Sequence, residues 1–538
     1  MKKEFNLVVS PQTAYNEQLL KEDIAEQLGL SKNDTLFIQP LRRSIDARSR
    51  NIKINLKIAA FVNESFVQEP LKMAYQDVSS AQKQITIIGA GPAGLYAALR
   101  CLELGVKPIV FERGKDVQAR RRDLAVLNKE HIVNPESNYC FGEGGAGTYS
   151  DGKLYTRSSK RGDIEHILKT FVYHGADEVI LVDAHPHIGT NKLPKIISNI
   201  REAILKHGGE IYFESKLIDI NYKGTSISSV IIEKSVAMSE AGAKETIEHN
   251  CSDLILATGH SARDIYELLD KKNIAIEAKP FALGVRVEHP QEFIDKIQYS
   301  CSTHNEVVDK RMYLPAASYS LVNQVGGYGV YSFCMCPGGI IAPCATAQEE
   351  IVTNGWSPSK RNNPYANSGL VVGLELKDFE PYKKHGALAS LQLQKEIERE
   401  AWKLGGQTQT APAQNLQDFV TNKISNRLID CSYQPGTQSV SLKEVLGNTI
   451  SNVLQQGFKN FNNKMRGYVT NDAIILGVES RTSTPVRIPR DKQTLQHTQL
   501  TNLYPCAEGA GYAGGIVSAA MDGVNCVNAI FANATNLV

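Results

Sequence analysis

The chain has 538 residues, enough for two or three domains with sizeable cores. Its 59 Lys and Arg nearly balance 57 Asp and Glu, so no global field recruits nucleic acid or an acidic membrane surface. No apolar run reaches membrane-helix length, the first residues do not read as a signal peptide, and ten scattered cysteines predict reduced thiols in a cytoplasmic protein.

Residues 1–78 read as a small α/β unit, with a strand at 5–9, an amphipathic helix at 19–28 stopped by Gly29, and an alternating strand at 52–62. Between them stand Arg42, Arg43, Arg48 and Arg50. They form either a solvated loop with salt bridges or a docking patch for an anionic partner or for the main body. A polar linker follows at 68–83.

An apolar run at 85–88 then breaks into Gly89-Ala-Gly91-Pro92-Ala93-Gly94, followed by an Ala/Leu-rich helix and a second apolar run closed by Glu112. Gly89 allows the turn, Gly91 lets the backbone approach a pyrophosphate, and Gly94 lets helix and strand pack closely. Glu112, 18 residues after Gly94, is placed to accept a hydrogen bond from a ribose hydroxyl. The basic segment 113–123 offers Arg113 and Arg121 to the phosphates. The glycine-rich run that follows, with Gly145, Gly147, Thr148, Ser150, Gly152 and Lys153 between aromatic residues, suits a backbone wrapped round a flat ring.

Helices are expected at 164–174 and 195–207. His185 and His187 between them lack partners for a metal site, and none is expected elsewhere. Three alternating runs within about 208–250 predict an antiparallel meander. A buried strand then ends in Ala257-Thr258-Gly259. Residues 281–470 show no second strand-Gly-x-Gly-x-x-Gly-helix unit and read as a mixed α+β substrate or cap domain. Cys334 and Cys336 alternate and should share one strand face. Cys336, next to Pro337-Gly338-Gly339, is the one expected nearer a ligand, although two structural thiols are the plainer reading. Arg286, His289 and Arg487 complete the candidate catalytic set, Arg487 as a clamp for a carboxylate. A second glycine cluster, with Glu508, Gly509, Gly514, Gly515 and Ile516, opens an apolar helix at 517–532.

Two glycine-rich helix starts at opposite ends of the chain resemble flavoproteins of the glutathione-reductase and hydroxylase type. In those proteins the first unit holds the ADP half of FAD and the later segment the ribityl-flavin half. Their later acid is usually Asp after Gly, whereas this chain has Ala507-Glu508. More closely, the motifs around Gly89, Gly142–Lys153, Pro186–Thr190, Phe281–Pro290, Phe333–Gly339, Ala366–Ser368, Thr484–Arg490 and Tyr504–Ile516 are similar to the bacterial uncharacterised FAD-dependent dehydrogenases, often labelled NAD(FAD)-utilising. That resemblance implies an α/β fold with a Rossmann-like FAD-binding domain (79–280 and 471–538), non-covalent FAD and an oxidoreductase. NADH or NADPH is expected as a transient electron donor and a small molecule as substrate. The missing second nucleotide-binding unit argues against a disulfide reductase. A tRNA-modifying flavoprotein, a flavin-dependent reductase of unsaturated lipids and a non-enzymatic redox sensor remain alternatives. The N-terminal unit offers a docking surface for a partner protein, and the balanced charge argues against nucleic acid.

Overall fold

The computed structural model describes residues 2–31, 34–64, 69–156, 159–235 and 244–535; residue 68 of the expected linker and 236–243 of the expected meander lie outside these. The dinucleotide fold is built on a five-stranded parallel sheet. Its order is Leu503–Pro505, Leu254–Leu256, Gln84–Ile88, Lys107–Phe111, Glu210–Tyr212. The three inner strands are almost wholly buried, which their unbroken apolar runs require of a sheet covered on both faces. The helix Pro92–Glu103 covers one face and packs along the helix Ile516–Thr535. Their crossing is close because a Cβ on Gly523 would overlap the carbonyl of Ala93. First and last segments of the domain therefore meet, and both helix N-termini open toward one cleft. Three antiparallel strands, Ser215–Lys223, Ser226–Ser235 and Lys244–Asn250, form a separate sheet.

The second large sheet has seven strands. Phe281–Pro290 lies at its centre between Tyr365–Leu374 and Ile474–Glu479, with Tyr328–Cys336 beyond the former and Ala411–Asn415 beyond the latter. The helix Leu442–Lys464 packs on this sheet. Ile474–Glu479 belongs here, not to the returning part of the FAD domain, which corrects the expected boundary at residue 470. Its run of six buried residues reads equally well as a parallel strand, and only its hydrogen-bonded neighbours decide.

The N-terminal unit is a three-stranded antiparallel sheet in the order Lys2–Val9, Lys53–Val62, Leu36–Asp46, with the helix Glu17–Leu28 on one face. Its apolar residues, among them Leu7, Ile24, Ile54 and Ile58, join the core of the seven-stranded domain. Arg43, on the edge strand of this sheet and in register with Leu56, pairs with the body: its N–H donates to the Val182 carbonyl, its guanidinium to Asp183. No helix among the described residues is long and apolar enough to cross a membrane.

Candidate functional site: the cleft between the glycine-rich helix starts

A cavity of about 410 Å³ runs between the two large sheets. Gly89 sits at φ 103°, and a side chain there would press on the Ala257 backbone. A Cβ on Gly94 would overlap the Gly89 carbonyl, so helix and strand pack as closely as the fingerprint demands. Glu112, at the strand end, is buried. One carboxylate oxygen accepts the N–H of Ala90 at 2.8 Å; the other accepts those of Gly114 and Gly142 at 2.9 and 3.0 Å. The acid expected to meet a ribose therefore also stitches three backbone segments together, and it still lines the cleft with lone-pair capacity to spare.

Arg113 lines the cleft, but its guanidinium is bound to Glu136 and Asp264 and lies 4.1 Å from the centre of the Phe141 ring. Arg121 is exposed and does not line the cleft, against expectation. The inward arginine is Arg120. On the helix Val117–Glu130 the buried face is Val117, Arg120, Leu124 and Leu127, and Arg121 falls outside that stripe. Arg120 donates from Nε to the Asn138 carbonyl and from Nη1 to the carbonyls of Glu143 and Gly145, which pins the glycine-rich loop.

In that loop Gly145, Gly147, Ser150, Gly152 and Lys153 line the cleft. Thr148 does not: its hydroxyl turns away and donates to the Glu143 carbonyl. Lys153 reaches across to the other domain, its ammonium donating to the Met335 carbonyl. Asp151 pairs with Arg361 beside it. His187 is held by the Ser359 carbonyl, and His185 lies against Tyr155.

Ala257, Thr258, Gly259, Glu508, Gly514, Gly515 and Ile516 line the cleft as well. Gly509 does not, because it packs on the Gly259 backbone and its carbonyl accepts from Tyr266. Asp522 anchors this second glycine cluster: it accepts the Ala507 N–H at 2.6 Å and a two-bond pairing from Arg490 at 2.7 and 2.9 Å. Arg490 thereby supplies the positive charge where Cys506, Asp522 and Cys526 come together. Burial pushes the Glu508 carboxyl up to about 7. His260, 3.7 Å from it, is pushed down to about 4 by burial and by Arg481 and Arg263.

The far wall comes from the seven-stranded domain. Phe333, Cys334 and Cys336 stand on the large sheet, Asn354 and Gly355 on the strand Thr353–Trp356 that pairs separately with Ile340–Pro343, and Arg481 and Thr482 just past Ile474–Glu479. Pairing slips between Phe333 and Cys336, and Cys334 adopts φ 43°. This bulge breaks the expected alternation. Cys334 opens to the cleft while Cys336 is buried, its thiol donating to the Cys334 carbonyl at 3.2 Å. Both line the cavity, but the more open thiol is Cys334, the reverse of the ranking expected from position. The surrounding protein pushes the Cys334 thiol up to about 12, and burial raises that of Cys336 too.

Three of the four expected catalytic residues lie elsewhere. Arg286 is fully buried beneath the wall, doubly bonded to Glu479 and donating to Asn354, Asn367 and the Cys334 carbonyl. His289 is buried among Phe293 and Tyr468, with Nε2 donating to the Tyr468 carbonyl. Both sit on Phe281–Pro290, a central strand buried on both faces, where polar residues serve the core. Arg487 is exposed on a short strand pairing with Glu277–Ala278 and does not reach the cavity. Residues that the sequence left unmarked stand there instead: His260, Asn354 and Arg481. Only Arg120 had a readable signal, the helical spacing of its apolar neighbours.

A parallel sheet with two glycine-rich helix starts facing one cleft, and an acid closing the second strand, defines a dinucleotide-binding protein. Residues 280–482 match the family described as "FAD-dependent protein, C-terminal domain-like", which supports FAD as the dinucleotide; residues 1–61 match "Domain of unknown function (DUF8436)". The chain is 39% identical over 525 residues to an uncharacterized protein of Clostridium beijerinckii, covering 94% of each, and belongs to the same family. Among solved structures, a flavoprotein/dehydrogenase from Cytophaga hutchinsonii is 14% identical with TM-score 0.28. The match takes in 56% of this chain and little over half, 57%, of that one. A geranylgeranyl bacteriochlorophyll reductase-like protein from Thermoplasma acidophilum is 11% identical with TM-score 0.34, over 84% of this chain and 80% of that one.

The residues present fit FAD. A Cβ on Gly259, Gly514 or Gly515 would meet nothing within 4 Å, and one on Gly91 only the Cα of Gly145 at 3.9 Å, so each glycine faces open cradle. The Thr258 hydroxyl is buried on the same wall without a partner.

Proposed function

We propose that the protein is an FAD-dependent oxidoreductase that binds FAD non-covalently and exchanges a hydride with a small molecule held against the Lys153, Cys334 and Cys336 wall. NADH or NADPH serves as transient electron donor. The observation that carries this is the shared cavity: residues of both glycine-rich helix starts and polar side chains of the seven-stranded domain line the same space. FAD, when bound, supplies two-electron hydride chemistry. The helix start at Gly91 would hold the pyrophosphate, Glu112 the ribose, and the N-terminus of Ile516–Thr535 the flavin half. Cys506 is buried and does not line the cleft, which supports non-covalent attachment.

On the facing wall the raised thiols of Cys334 and Cys336 keep their protons at neutral pH, so Cys334 acts as a proton donor to substrate and not as a thiolate. Arg286 holds that wall in place, donating to the Cys334 carbonyl and to the Asn354 side-chain oxygen. The test is anaerobic mixing of the purified yellow protein with NADH, NADPH and a metabolite panel while the flavin absorbance is followed. Bleaching by one donor and recovery with one acceptor is the expected result. A protein that takes up no FAD, or one whose flavin no donor reduces, overturns the reading.

A further inference from the structure

A side chamber of about 40 Å³ adjoins the main cleft and shares Cys140, Ser150, His260, Asn354 and Arg481 with it. It lies where the two domains meet. Cys140 and Tyr149 come from the FAD domain, Cys344, Thr353 and Trp356 from the hairpin of Ile340–Pro343 and Thr353–Trp356. A water needs roughly 10–15 Å³ of cavity volume, so the chamber admits a molecule of about two or three heavy atoms. On its wall the hydroxyl of Thr353, a residue 1% exposed, is buried without a hydrogen-bond partner, and such a group calls for an occupant. Two thiols flank the same space. The half-buried Cys140 thiol donates to the Cys344 carbonyl at 3.6 Å, across 204 positions of sequence. Cys344 is buried, and burial together with the neighbouring Cys140 thiol raises its own thiol well above the ordinary range. Cys506 and Cys526 also lie within 4.8 Å of each other, but both are fully buried and neither lines the cleft or the chamber.

A space for a few heavy atoms, with an unpartnered hydroxyl and a pair of thiols on its wall, matches a small polar oxidant. Water fits the space but has no chemistry with thiols. We propose that the chamber binds hydrogen peroxide and that Cys140 and Cys344 form its reversible dithiol–disulfide site. Cys140, the more open thiol, attacks one peroxide oxygen as its thiolate. The O–O bond breaks, Cys140 becomes a sulfenic acid, and the leaving hydroxide takes the thiol proton to become water. The Cys344 sulfur then attacks that of Cys140. The S–S bond forms, the S–O bond breaks, and the departing hydroxide leaves as a second water with the Cys344 proton. Two thiols are oxidised and one peroxide is reduced to two waters. Arg481, although held by Glu350 and Glu398, lines the chamber and favours a thiolate there, while Glu479 on the same wall opposes it. The disulfide ties the glycine-rich loop of the FAD domain to the seven-stranded domain.

The test uses the full-length protein as purified, treated with hydrogen peroxide and mapped by mass spectrometry without reduction. A cross-linked peptide joining Cys140 to Cys344 should appear, and dithiothreitol should reverse it. Cys344→Ser should stop at a Cys140 sulfenic acid that dimedone traps, whereas Cys140→Ser should give no dimedone adduct at Cys344. Thr353→Val keeps the side-chain shape without the hydroxyl and should slow cross-linking roughly 5-fold. Cumene hydroperoxide, too large for the chamber, should cross-link the pair far more slowly than hydrogen peroxide. No cross-link in the wild type overturns the proposal. So does an equal rate with the two hydroperoxides, or a wild-type rate in Thr353→Val. Should the serine variants fail to fold, the wild-type map and the two rate comparisons decide. None of these readouts depends on flavin reduction, so failure here leaves the oxidoreductase reading standing.

Discussion

The Glu112 carboxylate and the Gly142 amide lie 3.0 Å apart, joining the end of the second parallel strand to the glycine-rich loop. With Ala90 and Gly114, three N–H groups converge on this one buried acid. Glu112→Ala orphans all three at about 1 kcal/mol or more each, roughly 3 kcal/mol in total. We expect a clear drop in the urea midpoint of the flavin-free protein, together with loss of yellow colour on purification. An unchanged midpoint would show that water replaces the acid without loss.

Adjacent arginines should separate cleanly. Arg120→Ala removes the donors to Asn138, Glu143 and Gly145 and should release flavin and lower the melting temperature. Arg121→Ala, on the solvent face, should shift stability by no more than about 0.5 kcal/mol. Matched thermal melts and flavin-to-protein ratios decide between them.

Because its thiol is pushed up to about 12, Cys334 should react slowly with iodoacetamide at neutral pH and faster as the pH rises toward that value. FAD should shield it further. Cys334→Ser is expected to slow turnover with a bound flavin spectrum intact, while Cys336→Ser, at the buried position, should act first on stability. Peptide mapping that finds Cys336 labelled before Cys334 would reverse the assignment.

Glu508, raised by burial to about 7, favours its protonated form in the folded protein. An acid raised above its unfolded value of about 4.3 contributes stability that is complete below that value and is lost as pH rises through 7. Glu508→Gln should flatten this part of the stability profile of the flavin-free protein between pH 4.5 and 7. A variant whose profile still falls as steeply as wild type would assign the slope to other carboxyls, such as Glu288, which is also raised to about 7.

No described residue of the N-terminal unit lines the cleft, and Arg43 with Asp183 pins it to the body. Asp183→Ala should speed proteolytic release of residues 1–64 while the flavin absorbance stays unchanged. Loss of flavin from folded variant protein would tie the unit to the cofactor site after all.

The cofactor cradle is legible in the sequence because its demands are local. Gly89 must take φ 103°, Gly94 must admit a carbonyl, and Gly514 and Gly515 must leave space; each requirement names glycine whatever surrounds it. The acid of Glu112 falls at the end of a strand whose length its own apolar run sets. The reacting wall is not legible in the same way. A bulge between Phe333 and Cys336 exchanges the exposures of two cysteines, and bulges arise from pairing with Tyr365–Leu374, which no residue of the strand announces. Arg286 and His289 carry groups able to do chemistry, yet neighbours on both sides of their strand enclose them. The helix phase that separates the buried Arg120 from the outward Arg121 is, by contrast, readable from the spacing of Val117, Leu124 and Leu127. By itself the sequence determined where a dinucleotide can be gripped, since backbone conformation is a property of the residue. Which side chains face that dinucleotide was decided by the tertiary structure alone, because facing is a relation between strands and helices far apart in the chain.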